Sequence, residues 1–444
     1  MKFLEKYSKL LFFIFFSFVV FSANAQKINS KNIAKMIEKS PEQTNSFTGF
    51  ALYDLQEKKM IAEYNSNRYF IPASNTKLVS FYAGLEILGD SLPALKYYVE
   101  NDTLFFTGSG DPSFLNFDIH TYNPVYDFLA KRTEKLCYLE GAYTSDAYGV
   151  GWAYDDYNEY FQPERTNFPI YGNILRLEGD DKGNYSFLPR YFKPYFIENK
   201  QVQRKYTKVE RAVAENKFQY FPLPYKKFEQ DVPFKTSTDL MLKLLSDTLN
   251  KAVFYSKTTT ERLEKLKKAH VLKSIPVDSL YKQMLYVSDN FMAEQVLLMC
   301  SFTMNDSLNT DFAIRYTTQK YLADLPDKLR WVDGSGLSRY NLFSPRDFVF
   351  LLEKICKKRT IEQLYNLMPV GGVSGTIKNY YKADKPYIIA KTGTLSNNHS
   401  LSGFLITKNG KVLIFSFMNN HYLGSASGVK EMMTRILWHI HLNY

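Results

Sequence analysis

The stretch "IPASNTKLVSFYAGLEILG" places a serine, Ser74, three residues ahead of a lysine, Lys77, at the start of a helical pattern. A serine hydroxyl is a weak nucleophile and needs a base within hydrogen-bond reach. Residues at i and i+3 of a helix share a face, and burial and the helix dipole both favour a neutral lysine that can accept a proton. The pair could therefore be a nucleophile and its base, or Ser74 could simply cap the helix.

Spacing alone does not choose between these interpretations, because S-x-x-K occurs three times. The copies begin at Ser74, Ser279 and Ser427. Two tripeptides favour the first copy: SDN at 288–290 and KTG at 391–393, the latter occurring once. S-x-x-K followed by SDN and KTG is the motif set of class A β-lactamases and penicillin-binding proteins. Ser279 lies only nine residues before the SDN and Ser427 follows the KTG, so only Ser74 can head the series.

Five residues of the two tripeptides have predicted tasks in acyl transfer. Ser288 and Asn290 can relay a proton to the leaving amine and hold the substrate amide. Lys391 and Thr392 offer a charge and a hydroxyl to a substrate carboxylate. Gly393 is expected to let the substrate backbone lie against the strand.

Acyl transfer also needs donors for the negative oxygen of the tetrahedral intermediate. The backbone N–H groups of Ser74 and Thr394 are predicted to form this oxyanion hole, in which one donor is worth about 3 kcal/mol. The competing interpretation of KTG, a turn at the end of a strand, does not account for the ordered set of three motifs.

The surrounding pattern predicts an α+β fold. A helix and a hairpin precede Ser74, with Gly89 as a stop signal after the next helix, and helical patterns return after residue 270. Near the end, Asn409 and Gly410 between alternating strands indicate a hairpin, and a last helix follows. Short, tyrosine-rich, strand-like segments fill residues 91–270. We therefore predict a catalytic domain formed by 26–90 together with 271–444, interrupted by a β-rich inserted domain at 91–270.

The sequence resembles the low-molecular-mass class C penicillin-binding proteins of the D-alanyl-D-alanine carboxypeptidase and endopeptidase type. The resemblance extends over nearly the whole mature chain and includes "TGSGDPSFL", "RWVDGSGLSRYNLFSP", "LMPVGGVSGTIKNY" and "AKTGTLSNNHSLSGFL". It implies a penicillin-binding, β-lactamase-like domain with a large insert between S-x-x-K and SDN. It also implies that peptidoglycan stem peptides or cross-links are hydrolysed through an acyl-Ser74 intermediate, without a cofactor, and that penicillin acylates the same serine.

The resemblance further implies a pocket for the cross-linking diamino acid of peptidoglycan. Asp156 and Phe161, in "GWAYDDYNEYF", and Arg339, in "GLSRYN", match residues of that pocket. A glutamine that the family often has just after KTG is Ser396 here. For Asp156 the alternative of a surface acid in a tyrosine-rich loop stays open.

Three other functions use similar residues. A β-lactamase must also deacylate quickly, for which Glu362 and Asn366 offer a loose ExxxN pattern, although their surroundings indicate an ordinary helix face. A catalytically silent penicillin-binding sensor is disfavoured by the complete set of catalytic side chains. A transpeptidase would use the same acyl-enzyme, but the short leader favours the soluble, hydrolytic type.

The first 25 residues are typical of a secretory signal peptide, with a basic start, an apolar run and cleavage after Ala25. The alternative is an uncleaved anchor, but the run of about a dozen apolar residues is short of the roughly 20 that span a bilayer. We expect a periplasmic protein without a transmembrane anchor after cleavage. Peripheral association with the membrane or cell wall stays open.

Composition excludes several other classes. The formal charge of +11 would fall to +9 on loss of the leader, and an exported basic chain is expected to meet an anionic envelope rather than nucleic acid. Three cysteines are too few for a disulfide framework, and Cys300 and Cys356 lie in apolar helical stretches that predict buried thiols. The six scattered histidines indicate no metal site.

Overall fold

The computed structural model describes residues 28–41, 45–119, 122–199, 205–223 and 226–444. The predicted signal peptide, 1–25, lies outside the described residues. Helices and strands are numbered in chain order.

A five-stranded antiparallel sheet forms the middle of the two segments predicted to form the catalytic domain, 26–90 and 271–444. These segments are called the catalytic part below. In spatial order its strands are β16 (Ile388–Leu395), β17 (Asn398–Ile406), β18 (Val412–Asn420), β1 (Phe47–Asp54) and β2 (Lys59–Tyr64). The first strand along the chain thus pairs with the last, at Phe50 opposite Phe417. The two sequence segments predicted to share a domain therefore share one sheet.

Helices cover both faces of this sheet, because the inner strands are apolar on both faces. Alternate residues of β1 point to opposite sides: Phe50 and Leu52 lie in one core cluster, and Ala51 and Tyr53 in another. The first cluster packs against α1 (Ser30–Glu38) and α11 (Ser427–Asn443). The second packs against α2 (Lys77–Ile87), α6 (Val277–Tyr286), α7 (Asn290–Asn305), α8 (Thr310–Tyr321), α9 (Pro345–Cys356) and α10 (Ile361–Leu367).

Short strands dominate the segment between α2 and α6, as predicted. One mixed sheet has the order β13 (Val253–Ser256), β5 (Lys135–Leu139), β4 (Thr103–Gly108), β3 (Ser91–Glu100) and β14 (His270–Pro276). Two three-stranded sheets contain β12 (Phe228–Pro233), β7 (Ile174–Gly179) and β8 (Tyr185–Leu188), and β10 (Lys208–Arg211), β11 (Phe218–Phe221) and β9 (Phe196–Glu198). A two-residue strand, β6 (Ala142–Tyr143), pairs with β15 (Ser307–Leu308).

The described residues of this segment also contain three α-helices, α3 (Pro124–Ala130), α4 (Thr238–Leu249) and α5 (Thr260–Lys267). Its first sheet runs on past the predicted boundary at 270, because β14 pairs with β3. The division into a catalytic domain and an insert stays a prediction, and "the insert" below means residues 91–270.

The start of α2 differs from the sequence-based expectation. Ser74 lies in a 3-10 turn, Ala73–Thr76, and α2 begins only at Lys77. No side chain caps either the turn or the helix, so the interpretation of Ser74 as a helix cap is wrong. The far end agrees with the prediction, since α2 ends at Ile87 and Gly89 has a φ of +74°.

Two negative findings apply to the described part of the chain. None of its helices is both long and apolar enough to cross a bilayer, and no three His, Cys, Asp or Glu side chains gather as metal ligands would. The three cysteines are free thiols. Cys300 is buried as expected, whereas the expectation of a buried thiol is wrong for Cys356, which is half-buried at the last position of α9.

Candidate active site

Ser74 and Lys77 lie within hydrogen-bond reach of each other. The Lys77 Nζ is 2.9 Å from Ser74 Oγ, 2.6 Å from Asn290 Oδ1 and 2.8 Å from the carbonyl oxygen of Ser335. The lysine side chain is 0% exposed. Three oxygen atoms therefore fix its amine beside the serine hydroxyl.

Burial lowers the pKa of Lys77 from 10.5 to about 8. Asp289, Asp333 and Glu294 oppose this shift, because their negative charges favour the ammonium form. A base works best when its pKa lies near the working pH. Lys77 therefore has the pKa expected of a group that takes and returns a proton.

The SDN residues approach the same lysine from the start of α7. Asn290 accepts from Lys77 through Oδ1 and donates through Nδ2 to the carbonyl of Phe161 at 2.9 Å, so its amide is held from both ends. Asp289 caps the helix by accepting from the Met292 N–H at 3.0 Å. Ser288, just before the cap, has a φ of +68° and its Oγ accepts from Lys391 Nζ at 2.8 Å.

Strand β16 carries the KTG residues past the 3-10 turn that holds Ser74. Asn75 Nδ2 donates to the Lys391 carbonyl at 3.1 Å. A Cβ on Gly393 would lie 2.3 Å from the Pro72 carbonyl oxygen and 2.8 Å from the Asn75 nitrogen. The strand can approach the turn this closely only because residue 393 is a glycine. Contact of Gly393 with a substrate backbone stays a prediction.

Lys391 is 0% exposed, and burial together with the nearby Lys77 holds its pKa well below the usual value. Its Nζ also donates to the Thr392 carbonyl at 2.7 Å. Contact of Lys391 with a substrate carboxylate stays a prediction.

The predicted residues meet at one cleft of about 920 Å³. Its lining includes eight of them: Ser74, Ser288, Asn290, Thr392, Thr394, Asp156, Phe161 and Arg339. The cleft lining does not include Lys77, Lys391 or Gly393. These three residues are buried beneath the residues that line it. The other S-x-x-K pairs are excluded as nucleophile and base, because Ser279, Lys282 and Ser427 are exposed on helices.

The three residues predicted to grip the diamino acid come from two separate segments. Asp156 is half-buried, and burial and the adjacent Asp155 raise its pKa. Arg339 donates to the Ser396 carbonyl at 3.1 Å, which places the guanidinium beside the turn after KTG. Glu362 lies on α10 and is absent from the cleft lining, in agreement with its interpretation as part of a helix face.

Sequence reasoning missed two basic side chains of the cleft. Lys430, which belongs to a rejected S-x-x-K copy, lines it with its Nζ 4.7 Å from the centre of the Tyr380 ring. His399 also lines it, and its Nδ1 lies 2.8 Å from Thr394 Oγ1. Burial and Lys430 lower the pKa of His399 to about 3. Helical spacing could have placed Lys430 on the polar face of α11, but only the fold brings that face to the cleft.

A loop from the string "RWVDGSGLSRYN" forms the back of the site around Asp333. The carboxylate of Asp333 accepts from the backbone N–H groups of Gly336 and Ser338, from the Asn341 amide and from the Trp152 indole. The Trp331 indole donates to the Asp333 carbonyl at 2.7 Å. These bonds fix the loop that presents the Ser335 carbonyl to Lys77.

Comparison with known proteins identifies a family that matches nearly the whole chain. The profile of the D-Ala-D-Ala carboxypeptidase 3 (S13) family matches residues 29–439. The D-alanyl-D-alanine carboxypeptidase DacB of Haemophilus influenzae is 24% identical, with 88% of this chain and 89% of DacB covered. A D-alanyl-D-alanine carboxypeptidase of Actinomadura is 37% identical over 101 residues, 21% of this chain and 19% of that protein.

Solved structures show the same fold. Penicillin-binding protein 4 (dacB) of Haemophilus influenzae superposes with a TM-score of 0.73 at 21% identity, over 92% of this chain and 99% of that one. Bd3459, a predatory peptidoglycan endopeptidase of Bdellovibrio bacteriovorus, gives 0.53 at 15% identity, over 88% and 92%. The resemblance noted in the sequence is thus confirmed: the chain belongs to the D-Ala-D-Ala carboxypeptidase 3 (S13) family.

Proposed function

We propose that Ser74 is the nucleophile of this serine-type D-Ala-D-Ala peptidase and that Lys77 is its base. The observation that carries the proposal is a lysine amine shielded from solvent and 2.9 Å from the serine oxygen. A desolvated amine with a lowered pKa activates an adjacent hydroxyl, which neither group achieves alone in water.

The proposed acylation proceeds in two steps. Ser74 Oγ gives its proton to Lys77 Nζ and attacks the carbonyl carbon of the penultimate D-alanine, while the Ser74 and Thr394 N–H groups stabilise the oxyanion. The carbon–nitrogen bond then breaks, and the proton passes from Lys77 through Ser288 to the leaving amine. Water repeats the sequence on the acyl-serine, releasing the shortened peptide and restoring the hydroxyl.

The substrate proposed is peptidoglycan, in an exported, periplasmic protein. Membership of a D-Ala-D-Ala carboxypeptidase family supports the stem peptide as substrate, and the endopeptidase Bd3459 shares the fold. The Haemophilus influenzae protein has been solved with a bound β-lactam, which supports penicillin as an acylating inhibitor here. The diamino acid would be held by Asp156, Phe161 and Arg339. Asp156 and Arg339 carry charges opposite to those of its amine and its carboxylate.

The test combines labelled penicillin with purified muropeptides. The mature protein should become labelled and release D-alanine or open cross-links, whereas Ser74→Ala should do neither. Ser279→Ala is the matched control, because it removes the serine of another S-x-x-K pair on an exposed helix face. Label retained by Ser74→Ala would refute the nucleophile. Labelling without any peptide hydrolysis would indicate a sensor, and rapid penicillin turnover a β-lactamase.

A further inference from the structure

The third partner of Lys77 belongs to none of the three motifs. It is the backbone carbonyl of Ser335, 2.8 Å from Nζ. A carbonyl is an acceptor whose position depends only on the loop that holds it. What fixes Ser335 therefore helps to fix Lys77.

Glu294 fixes the Ser335 backbone. Its Oε1 accepts from the Ser335 N–H at 2.8 Å, and the side chain is 1% exposed. Glu294 follows Asn290 by four residues on α7, so both lie on one face of that helix. Helix α7 thus holds Lys77 directly through the Asn290 amide and indirectly through the Glu294 carboxylate.

Arg165, from the insert, holds the other carboxylate oxygen. Its Nη1 lies 3.4 Å from Glu294 Oε2 and 3.2 Å from Thr310 Oγ1. Its Nε and Nη2 donate to the carbonyls of Asp146 and Tyr148 at 3.0 and 2.8 Å. The arginine is 5% exposed. A buried carboxylate needs such a partner, because an uncompensated charge in the interior is costly.

We propose that Glu294 and Arg165 are positioning residues for catalysis: the insert holds Glu294 through Arg165, and Glu294 holds the Ser335 carbonyl and supplies negative charge beside Lys77. The inference rests on the proposed function and deepens it, since it makes the insert part of what prepares the base. The alternative is that the Arg165–Glu294 ion pair only joins the insert to α7. In that case its removal would lower the stability of the fold and leave the pH at which Lys77 loses its proton unchanged.

The titration of Lys77 separates these two roles. The charged groups that act on Lys77 are Asp289, Asp333 and Glu294, which raise its pKa, while Lys77 in turn lowers the pKa of the second buried lysine, Lys391. Burial and Asp333 raise the pKa of Glu294, and Arg165 opposes this shift. Loss of the Glu294 charge lowers the pKa of Lys77. Acylation that needs neutral Lys77 then begins at lower pH.

The experiment compares the pH dependence of penicillin acylation in wild type, Glu294→Gln and Glu362→Gln. Glutamine can still accept from the Ser335 N–H but has no charge. For Glu294→Gln we expect the pH of half-maximal acylation to fall by about one unit. Glu362→Gln changes an exposed residue of α10 and should leave the profile unchanged. A profile of Glu294→Gln that is lower at every pH but not displaced would overturn the proposal.

A second variant covers the case in which Glu294→Gln folds poorly because Arg165 is left unpaired. Arg165→Met with Glu294→Gln removes both buried charges, an exchange that folded proteins often tolerate. This double variant should be displaced in the same direction but by less, because the loss of the Arg165 positive charge partly offsets the loss of the Glu294 negative charge. A profile displaced in neither variant would overturn the proposal. Failure of wild type to label Ser74 at any pH would instead refute the proposed function.

Discussion

At the scale of single residues, the site depends on two buried lysines with different partners. Lys77 contacts the serine, an amide and a carbonyl, whereas Lys391 contacts Ser288 and its own strand. Ser288 thus lies between Lys391 and the cleft, where the leaving amine would be. Burial lowers the pKa of both lysines, to about 8 for Lys77.

The pKa of Lys77 predicts the pH dependence of acylation. Because neutral Lys77 is the active form, the acylation rate should rise about tenfold per pH unit up to about pH 8 and then level off. His399, with a pKa of about 3, does not titrate in this range. The measurement is the rate of labelling by a chromogenic penicillin between pH 5 and 10. A rate independent of pH below 8 would contradict Lys77 as the base.

The motif residues were predictable from sequence, whereas the residues that support them were not. Ser74, Lys77, Ser288, Asn290 and Lys391 are side chains whose identity and order indicate their chemistry. The third partner of Lys77 is a backbone carbonyl, which any residue type could supply. Its position depends on Glu294, an acid in an apolar helix, and on Asp333, an acid in a glycine-rich loop. Acids occur in such segments for many reasons, so their sequence context alone does not indicate this role.

At the scale of elements, strand β16 and the 3-10 turn before α2 must touch for the site to form. Asn75 bonds to the carbonyls of Lys391 and Ser400, and Gly393 packs against Pro72. Ser74 and the KTG strand are therefore positioned by the Asn75 side chain and by the close approach of two backbones. This contact joins the first and last segments of the catalytic part.

Gly393→Ala should separate these two elements. The added Cβ would meet the Pro72 carbonyl at 2.3 Å, and such overpacking typically costs about 1–3 kcal/mol. We expect a lower melting temperature and at least a tenfold loss of acylation. Ser400→Ala is the control, because Ser400 is opposite Gly393 and its buried Oγ has no hydrogen-bond partner within the part of the chain that the structure describes. Unchanged stability and acylation in Gly393→Ala would contradict the role of this contact.

Periodicity predicted the sheet better than it predicted the insert. The hairpin predicted before Ser74 and the turn predicted at Asn409 and Gly410 both correspond to observed pairs of strands. Helix α4 was missed in a segment interpreted as mostly β, although Leu240, Met241, Leu244 and Leu245 have helical spacing and are buried. The tyrosine-rich strands around it dominated the composition of the segment. The spacing of apolar residues within a short window therefore predicts a helix or strand better than the average composition of a long segment does.

At the scale of the whole molecule, the insert and the catalytic part meet along α7. Its first turn carries Asn290, which bonds to Phe161 of the insert, and its second carries Glu294 and Gln295. Gln295 donates to the carbonyls of Gly110 and Thr166 at 2.6 and 2.9 Å. Sequence predicted that an insert exists but could not place it, because these contacts join residues more than a hundred positions apart.

Cleavage of the predicted signal peptide after Ala25 would give a mature chain that begins at Gln26. Expression with the native leader in a bacterium with a periplasm should release a periplasmic protein whose mass lacks residues 1–25, because the apolar run is short and small residues precede the cleavage point. Intact-mass spectrometry of the periplasmic fraction measures this directly. Replacement of Ala25 by a bulky residue is the control and should retain the leader. A full-length mass in the membrane fraction would indicate the uncleaved anchor instead.

The bonds around Asp333 also provide an intrinsic optical signal. The chain has three tryptophans, and two of them, Trp152 and Trp331, donate their indole N–H groups to this one aspartate. One indole comes from the insert and the other from the loop that carries Ser335. Indole emission responds to nearby charge and hydrogen bonding, so we expect native fluorescence to report any change that acylation makes to the bonds around Asp333. The third indole, Trp438 on α11, stacks on His441 and provides an internal reference on the opposite face of the sheet.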